Sequence, residues 1–171
     1  MGTSSSSREP LPSLERLREA VKGDGRHPGL AMVLPMLQTR HRRELRREEH
    51  WSKEELVRHP EPRQLIRAMR KPGNLTEEGL PIYTLDERRF STADIRENRL
   101  VKEAAEEAGQ GLEAYAADGD EGAGALLRSL QRARGQAPFL EEVGSVDPRE
   151  RGMTTTLLQD PLYRSVMALR V

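Results

Sequence analysis

The stretch STADIRENRLVKEAAEEAGQGLEAYAA, residues 91–117, decides the fold. Ile95, Val101, Ala104 or Ala105, Ala108, Leu112 and Tyr115 recur at steps of three and four, which places them on one face of a helix. Ser91 or Thr92 is positioned to cap it, and the pattern carries to about Ala117. Asn98 falls on the same apolar stripe. Gly109 and Gly111 weaken the middle of the helix by about 1 kcal/mol each relative to Ala.

Shorter elements lie on either side. Ser13 caps a helix over Leu14 to Lys22, closed by Gly23-Asp24-Gly25. His27-Pro28 starts a second helix carrying Leu30, Val33, Leu34 and Leu37, which Pro35 is expected to break. Residues 40–50, RHRRELRREEH, fit a short exposed strand or a polar helical turn. Ser52 with Glu55 resembles a capping box, and Pro60 stops what begins there. Glu61 to Met69 reads as a helix with Leu65, Ile66 and Met69 inward, followed by a turn at Lys71-Pro72-Gly73-Asn74. Alternation at Leu80, Ile82 and Thr84 predicts a short strand. Beyond the long helix come an acidic, Gly-rich loop from Asp118 to Gly124 and a helix over Ala125 to Arg134. An apolar patch at Phe139, Leu140 and Val143 follows, then a loop over 144–152. The fold class expected is mainly α with a minor β contribution (α+β), with one or two short strands. Residues 1–12 read as disordered and 13–171 as a single helical domain.

Asp160-Pro161 is a strong helix start, an N-cap acid followed by Pro at the first helical position. Leu162, Tyr163, Val166, Met167 and Leu169 then form an apolar stripe that reaches Val171 with no closing Gly, Asn or polar tail. A helix that short is marginal alone in water, so its apolar face needs a partner. The expectation is a domain incomplete at its C-terminus, or one that self-associates through this helix.

Composition bounds the function. Leu, Ile, Val and Phe number 35 of 171 residues, at the edge below which chains tend to be disordered, but the net charge is zero. A thin core is expected. The absence of Cys excludes disulfides, thiolate metal sites and cysteine nucleophiles. No apolar run approaches the roughly 18 residues of a membrane span, and the polar start has no signal core. Gly2 and Ser6 fit a loose N-myristoylation pattern, but a flexible Gly-Ser start fits it equally and is preferred. The expected location is cytoplasmic.

Candidate sites are sparse. His41, His50 and His59 are nine apart, a spacing that suits neither one helix face nor zinc, and His27 stands apart from them; no metal ligand set is expected. There is no phosphate-cradling Gly-rich loop, no nucleophile elbow, and no Lys with an acidic residue two positions upstream on a strand, as a metal-dependent nuclease would show. No catalytic residue and no cofactor are expected. Charge is unevenly distributed: residues 40–71 hold eleven basic and six acidic side chains, and residues 103–121 hold seven acidic and no basic ones. Arg40, Arg42, Arg43, Arg46 and Arg47 are candidate nucleic-acid contacts, acting through charge and reading no sequence. A solvated surface neutralised by Glu44, Glu48 and Glu49 is the preferred account. Trp51 is a stacking platform or, more often for a lone Trp, core. Asn98 on an apolar stripe costs energy unless paired; it fixes helix packing in the preferred account and faces a partner in the other.

The run Asp94-Ile95-Arg96-Glu97-Asn98-Arg99-Leu100-Val101-Lys102 resembles the Asp-Thr-Pro-Glu-Asn-Arg-Phe-Val-Lys motif of a domain of unknown function found beside nuclease domains, in proteins similar to McrC, the nuclease subunit of McrBC-type restriction systems. Asp94, Glu97, Asn98, Arg99, Val101 and Lys102 match; Ile95 and Arg96 depart from the Thr-Pro step. Arg42 to Leu75 resembles that family's pattern of basic strand, helix and turn. Thr155 to Arg164 resembles the segment leading into its next long helix. The resemblance spans roughly residues 14–171. It implies a helical accessory region of a bacterial defence nuclease whose Pro-Asp…Asp/Glu-x-Lys centre would lie beyond Val171. The implied partners are an NTPase subunit and DNA. The alternatives are a stand-alone, homodimerising interaction domain and a non-specific DNA-binding module.

Overall fold

The computed structural model describes residues 11–53, 61–147, 149, 152 and 154–171, with Arg88 known by its backbone alone. The fold is α+β, with seven α-helices and one two-stranded antiparallel sheet among the described residues. It divides into two compact units. One comprises the described residues up to Arg43 and from Ala93 onward; the other is the insertion Glu44–Thr92. The start of the chain with Gly2 and Ser6, the proposed partner Glu55, the stop at Pro60, and His59 lie outside the described residues.

The first unit is helical. In α1 (Leu14–Lys22) the Arg16 N–H donates to the Ser13 hydroxyl, as a cap should. The chain leaves it through Gly23 at φ +97°, where a Cβ would stand 2.4 Å from the His27 carbonyl oxygen, so only glycine fits. α2 (Leu30–Arg40) runs straight through Pro35, against the expectation of a break. Val33, Leu34 and Leu37 around it are fully buried. Burial of three such side chains, at about 1.5–3 kcal/mol each, outweighs the roughly 3 kcal/mol of an internal proline.

The long helix, α4 (Arg96–Ala117), ends where the sequence predicts but starts later. Ser91 and Thr92 do not cap it, because the preceding strand holds both of them, and Ile95 takes the N-cap position. Only one of its two glycines has a packing role: a Cβ on Gly111 would stand 2.9 Å from Leu17 Cδ2, whereas one on Gly109 would meet only Leu130 Cδ2 at 3.9 Å. α5 (Glu121–Gly135) begins four residues earlier than the sequence suggests, because the Asp120 carboxylate accepts the Ala123 N–H at 2.8 Å and draws Gly122 and Gly124 into the helix. Phe139, Leu140 and Val143 are buried in and after a 3₁₀ turn over Pro138–Glu142.

Two short helices follow, α6 (Thr155–Gln159) and α7 (Pro161–Ala168). Asp160 caps α7 by accepting the Leu162 N–H at 3.0 Å. The apolar stripe finds its partner within the unit: α7 packs on α2 and α4, with Leu162, Tyr163, Val166 and Leu169 buried. The helix ends at Ala168, with the Leu169 N–H on Ser165 O, and the Arg170 guanidinium reaches Glu103 and Glu107 on α4. It does not run on through Val171.

The inserted unit pairs β1 (Glu44–Lys53) with β2 (Tyr83–Thr92) in register from Glu44↔Thr92 to Lys53↔Tyr83. The ambiguous basic stretch is therefore a strand, and Ser52 lies in it rather than at a helix start. The second strand begins three residues after Leu80, which is exposed, as is Ile82. α3 (Pro62–Met69) carries a reciprocal cap between Glu61 and Gln64. Its inward residues are Gln64 and Ala68, not Ile66 and Met69, which are 50% and 52% exposed. Asn74 ties the end of α3 to β2: its Nδ2 donates to Ala68 O (2.9 Å) and Tyr83 O (2.7 Å), while its Oδ1 accepts the Tyr83 N–H (2.9 Å). That buried amide joins the Ala68 side of α3 to β2.

The two glycines of α4 make opposite predictions. Gly109→Ala should stabilise the protein by about 1 kcal/mol, the helix-propensity difference. Gly111→Ala should lose that gain or destabilise, because Leu17 is fully buried and cannot swing away freely. Urea denaturation of both variants checks the contrast.

Candidate functional site

The matched run folds into the start of α4 and its approach, and its polar side chains close on the chain itself. Asn98 is fully buried. Its Nδ2 donates to Ala93 O at 2.7 Å and to Arg42 O at 2.9 Å. Its Oδ1 accepts the Tyr163 hydroxyl at 2.6 Å, and that hydroxyl accepts the Arg42 N–H at 3.0 Å. Two carbonyls facing Nδ2 fix the amide's orientation, since the flipped amide would set oxygen against oxygen. The packing account of Asn98 is the one its geometry fits.

The remaining motif residues secure the segments around it. Asp94 receives Arg99 in a forked pair, Nε at 2.7 Å and a terminal nitrogen at 2.8 Å, and accepts the Gly144 N–H at 2.8 Å. Glu97 accepts the Thr154 hydroxyl at 2.8 Å while Thr154 caps α6. Lys102 donates to Val143 O at 2.5 Å, and Val101 is buried. Arg96 reaches Gly152 O. Asp94, Glu97, Asn98, Arg99 and Lys102 thus form a clasp that holds α4 to Gly144 and Thr154, and through Tyr163 to α7.

Tyr163, one member of the apolar stripe of α7 in the sequence, closes this network. Its phenol is fully buried, and burial above all, then the Asp160 and Glu97 carboxylates, push its pKa up to about 12 against the Arg42 N–H that it accepts. The signal in the sequence is its place on the apolar stripe with Leu162, Val166 and Leu169, all of which are buried.

The five arginines fall in both units. Arg40, Arg42 and Arg43 belong to the helical unit; Arg46 and Arg47 belong to β1. Arg42 donates to the Thr156 hydroxyl at 2.9 Å and Arg43 pairs with Glu142 at 2.9 Å. Arg46 lies 3.5 Å from Glu44, and Arg47 lies 3.3 Å from Glu87. Arg40 is exposed at the end of α2. Trp51 is 40% exposed, with the Lys71 ammonium 3.9 Å above its ring, so neither bare platform nor core describes it. His27 lies against Asp24, His41 stacks on Phe139 with centroids 4.5 Å apart, and His50 lies 3.6 Å from Asp86.

Among the described residues no group of three or more His, Cys, Asp or Glu could hold a metal ion, and no helix is long and apolar enough to cross a membrane. A recess of about 590 Å³ between α1 and α5, lined by Leu14, Arg18, Lys22 and Leu126 among others, contains none of the motif residues. No protein-family model, curated protein or solved structure matches the chain.

Asn98→Ala should cost about 3 kcal/mol, because it leaves two carbonyls and the Tyr163 hydroxyl short of partners at about 1–3 kcal/mol per buried unpaired group. Tyr163→Phe should cost about 2 kcal/mol by the same count. Chemical denaturation measures both, and a loss below about 1 kcal/mol in Asn98→Ala would remove the amide from its central place. The raised Tyr163 pKa also sets a pH limit. A neutral phenol favoured by the fold stabilises fully below its ordinary value of 10.0, and that contribution is lost as pH rises through about 12. The phenolate absorbance missing in Tyr163→Phe should therefore appear near 12, together with unfolding.

Proposed function

We propose that this chain is a non-catalytic accessory region of an McrC-like DNA restriction nuclease, acting in the cytoplasm to position the nuclease and to meet a partner NTPase or DNA. The observation that carries the reading is the clasp. The residues through which the chain resembles that family are spent on holding α4, the segment around Gly144 to Thr154, and α7 in fixed relation. A motif used in this way builds a scaffold and leaves the chemistry to another part of the assembly. The homodimer alternative has less to stand on, since Leu162, Val166 and Leu169, the face it would use, are buried within the unit.

The flanking coding sequence is the decisive test. An in-frame or frameshifted continuation bearing an acidic-x-Lys strand, beside an NTPase gene, is the expected result; unrelated sequence on both sides would overturn the reading. The purified chain should leave supercoiled plasmid intact in the presence of magnesium or manganese. Nicking that disappears when a single carboxylate is neutralised would show a catalytic centre and sink the non-catalytic assignment.

A further inference from the structure

The inserted ribbon carries an arrangement that its own stability does not explain. Arg47 on β1 lies directly opposite Arg89 on β2 in the register. Directly opposed side chains of an antiparallel pair share a face, with Cβ atoms about 4.5–5.5 Å apart, and like charges placed so are destabilising. The two side chains are 61% and 58% exposed, and both turn their Nε to the same Glu87 Oε1, at 3.3 and 3.5 Å. Among the described residues their terminal amino groups have no other partner. Glu49, directly opposite Glu87 on the same face, is held at 2.9 Å by Arg67 of α3. One carboxylate thus orients two forks and neutralises only one of them.

We propose that Arg47 and Arg89 are a phosphate clamp for the backbone of duplex DNA, with Glu87 as the group that orients them. Paired guanidinium forks suit a phosphodiester oxygen pair better than a point charge does. A two-stranded ribbon is an element that the major groove admits. Leu45, on the same face and 63% exposed, adds an apolar contact of the kind a thymine methyl accepts. The identity of the anion as DNA rests on the proposed function; the clamp geometry does not. The contact thereby moves from the linear cluster of residues 40–47 to a pair that only strand pairing brings together.

Fluorescence anisotropy with a labelled duplex, titrated from about 50 to 200 mM salt, tests this. Arg47→Gln and Arg89→Gln should each weaken binding roughly tenfold at about 50 mM salt and each lower the salt slope by about one. Glu87→Gln should tighten binding several-fold, a change of sign that a purely structural role would not produce. Arg40→Gln, in the other unit, should bind as wild type. The double glutamine variant should melt at or above the wild-type temperature, because it relieves a like-charge pair. Should it fail to fold, Arg47→Lys with Arg89→Lys keeps the charge and should keep the slope while losing affinity. Absence of binding at about 50 mM salt, wild-type binding by the glutamine variants, full affinity in the lysine variant, or equal competition by polyglutamate would each overturn the clamp. None of these results bears on the flanking coding sequence, so failure here and failure of the proposed function are told apart.

Discussion

The amide of Asn98 is the constraint on which the helical unit depends. Its two N–H groups go to Arg42 O and Ala93 O, the backbone just before the inserted unit departs and just where the chain returns. Closing a long insertion costs conformational entropy that grows slowly with its length, so a single well-formed clamp at its base is an economical way to hold the ends. The strand register begins next to that clamp, at Glu44↔Thr92. Tyr163 completes it from α7 by donating to Asn98 and accepting from Arg42. A helix interior ordinarily disfavours Asn, which competes with the backbone for hydrogen bonds. Here the side chain serves backbone groups from elsewhere in the chain, and every donor and acceptor of the amide is used.

The inserted unit repeats the device in miniature. Asn74 is buried and spends both Nδ2 protons and its Oδ1 on Ala68 and Tyr83, so that α3 and β2 share one amide. Few aliphatic residues line this unit, and a buried amide with all its bonds made fixes geometry that apolar packing alone would leave loose. The same thinness leaves Ile66, Met69 and Leu75 at the surface. The neutral overall charge hides a division of labour between the units. On the helical unit, carboxylates and guanidiniums lock segments together, as Arg99 with Asp94 and Arg170 with Glu103 and Glu107. On the ribbon Arg47 and Arg89 stand exposed and directly opposed.

Several elements were legible in the residues because their causes are local. The three- and four-residue steps from Ile95 to Tyr115 predict α4 and its end, and Ser13 and Asp160-Pro161 mark the starts of α1 and α7; the strand expected from the alternation at Leu80, Ile82 and Thr84 instead begins at Tyr83. The errors share one physical source. Ser91 and Thr92 have good capping side chains, but strand pairing with β1 claimed them. Pro35 is a local breaker, but burial of Val33, Leu34 and Leu37 overrode it. Ile66 and Met69 are more apolar than Gln64, yet α3 packs on β2 through its Gln64 and Ala68 face.

The sequence by itself placed α1 to α5 and α7, though not α6, and it fixed the want of cysteine chemistry and the oddness of Asn98, since each of these is set by residue type and near spacing. It also located the run from Asp94 to Lys102 as unusual. Only the tertiary structure decided what that run does, because its partners Arg42, Gly144, Thr154 and Tyr163 lie far along the chain and no local pattern announces them. The arginines divide in the same way. The stretch from Arg40 to Arg47 looks like one basic cluster in the sequence. Pairing of β1 with β2 instead brings Arg47 to Arg89, because residues that face one another across a ribbon are joined by register and not by proximity in the chain.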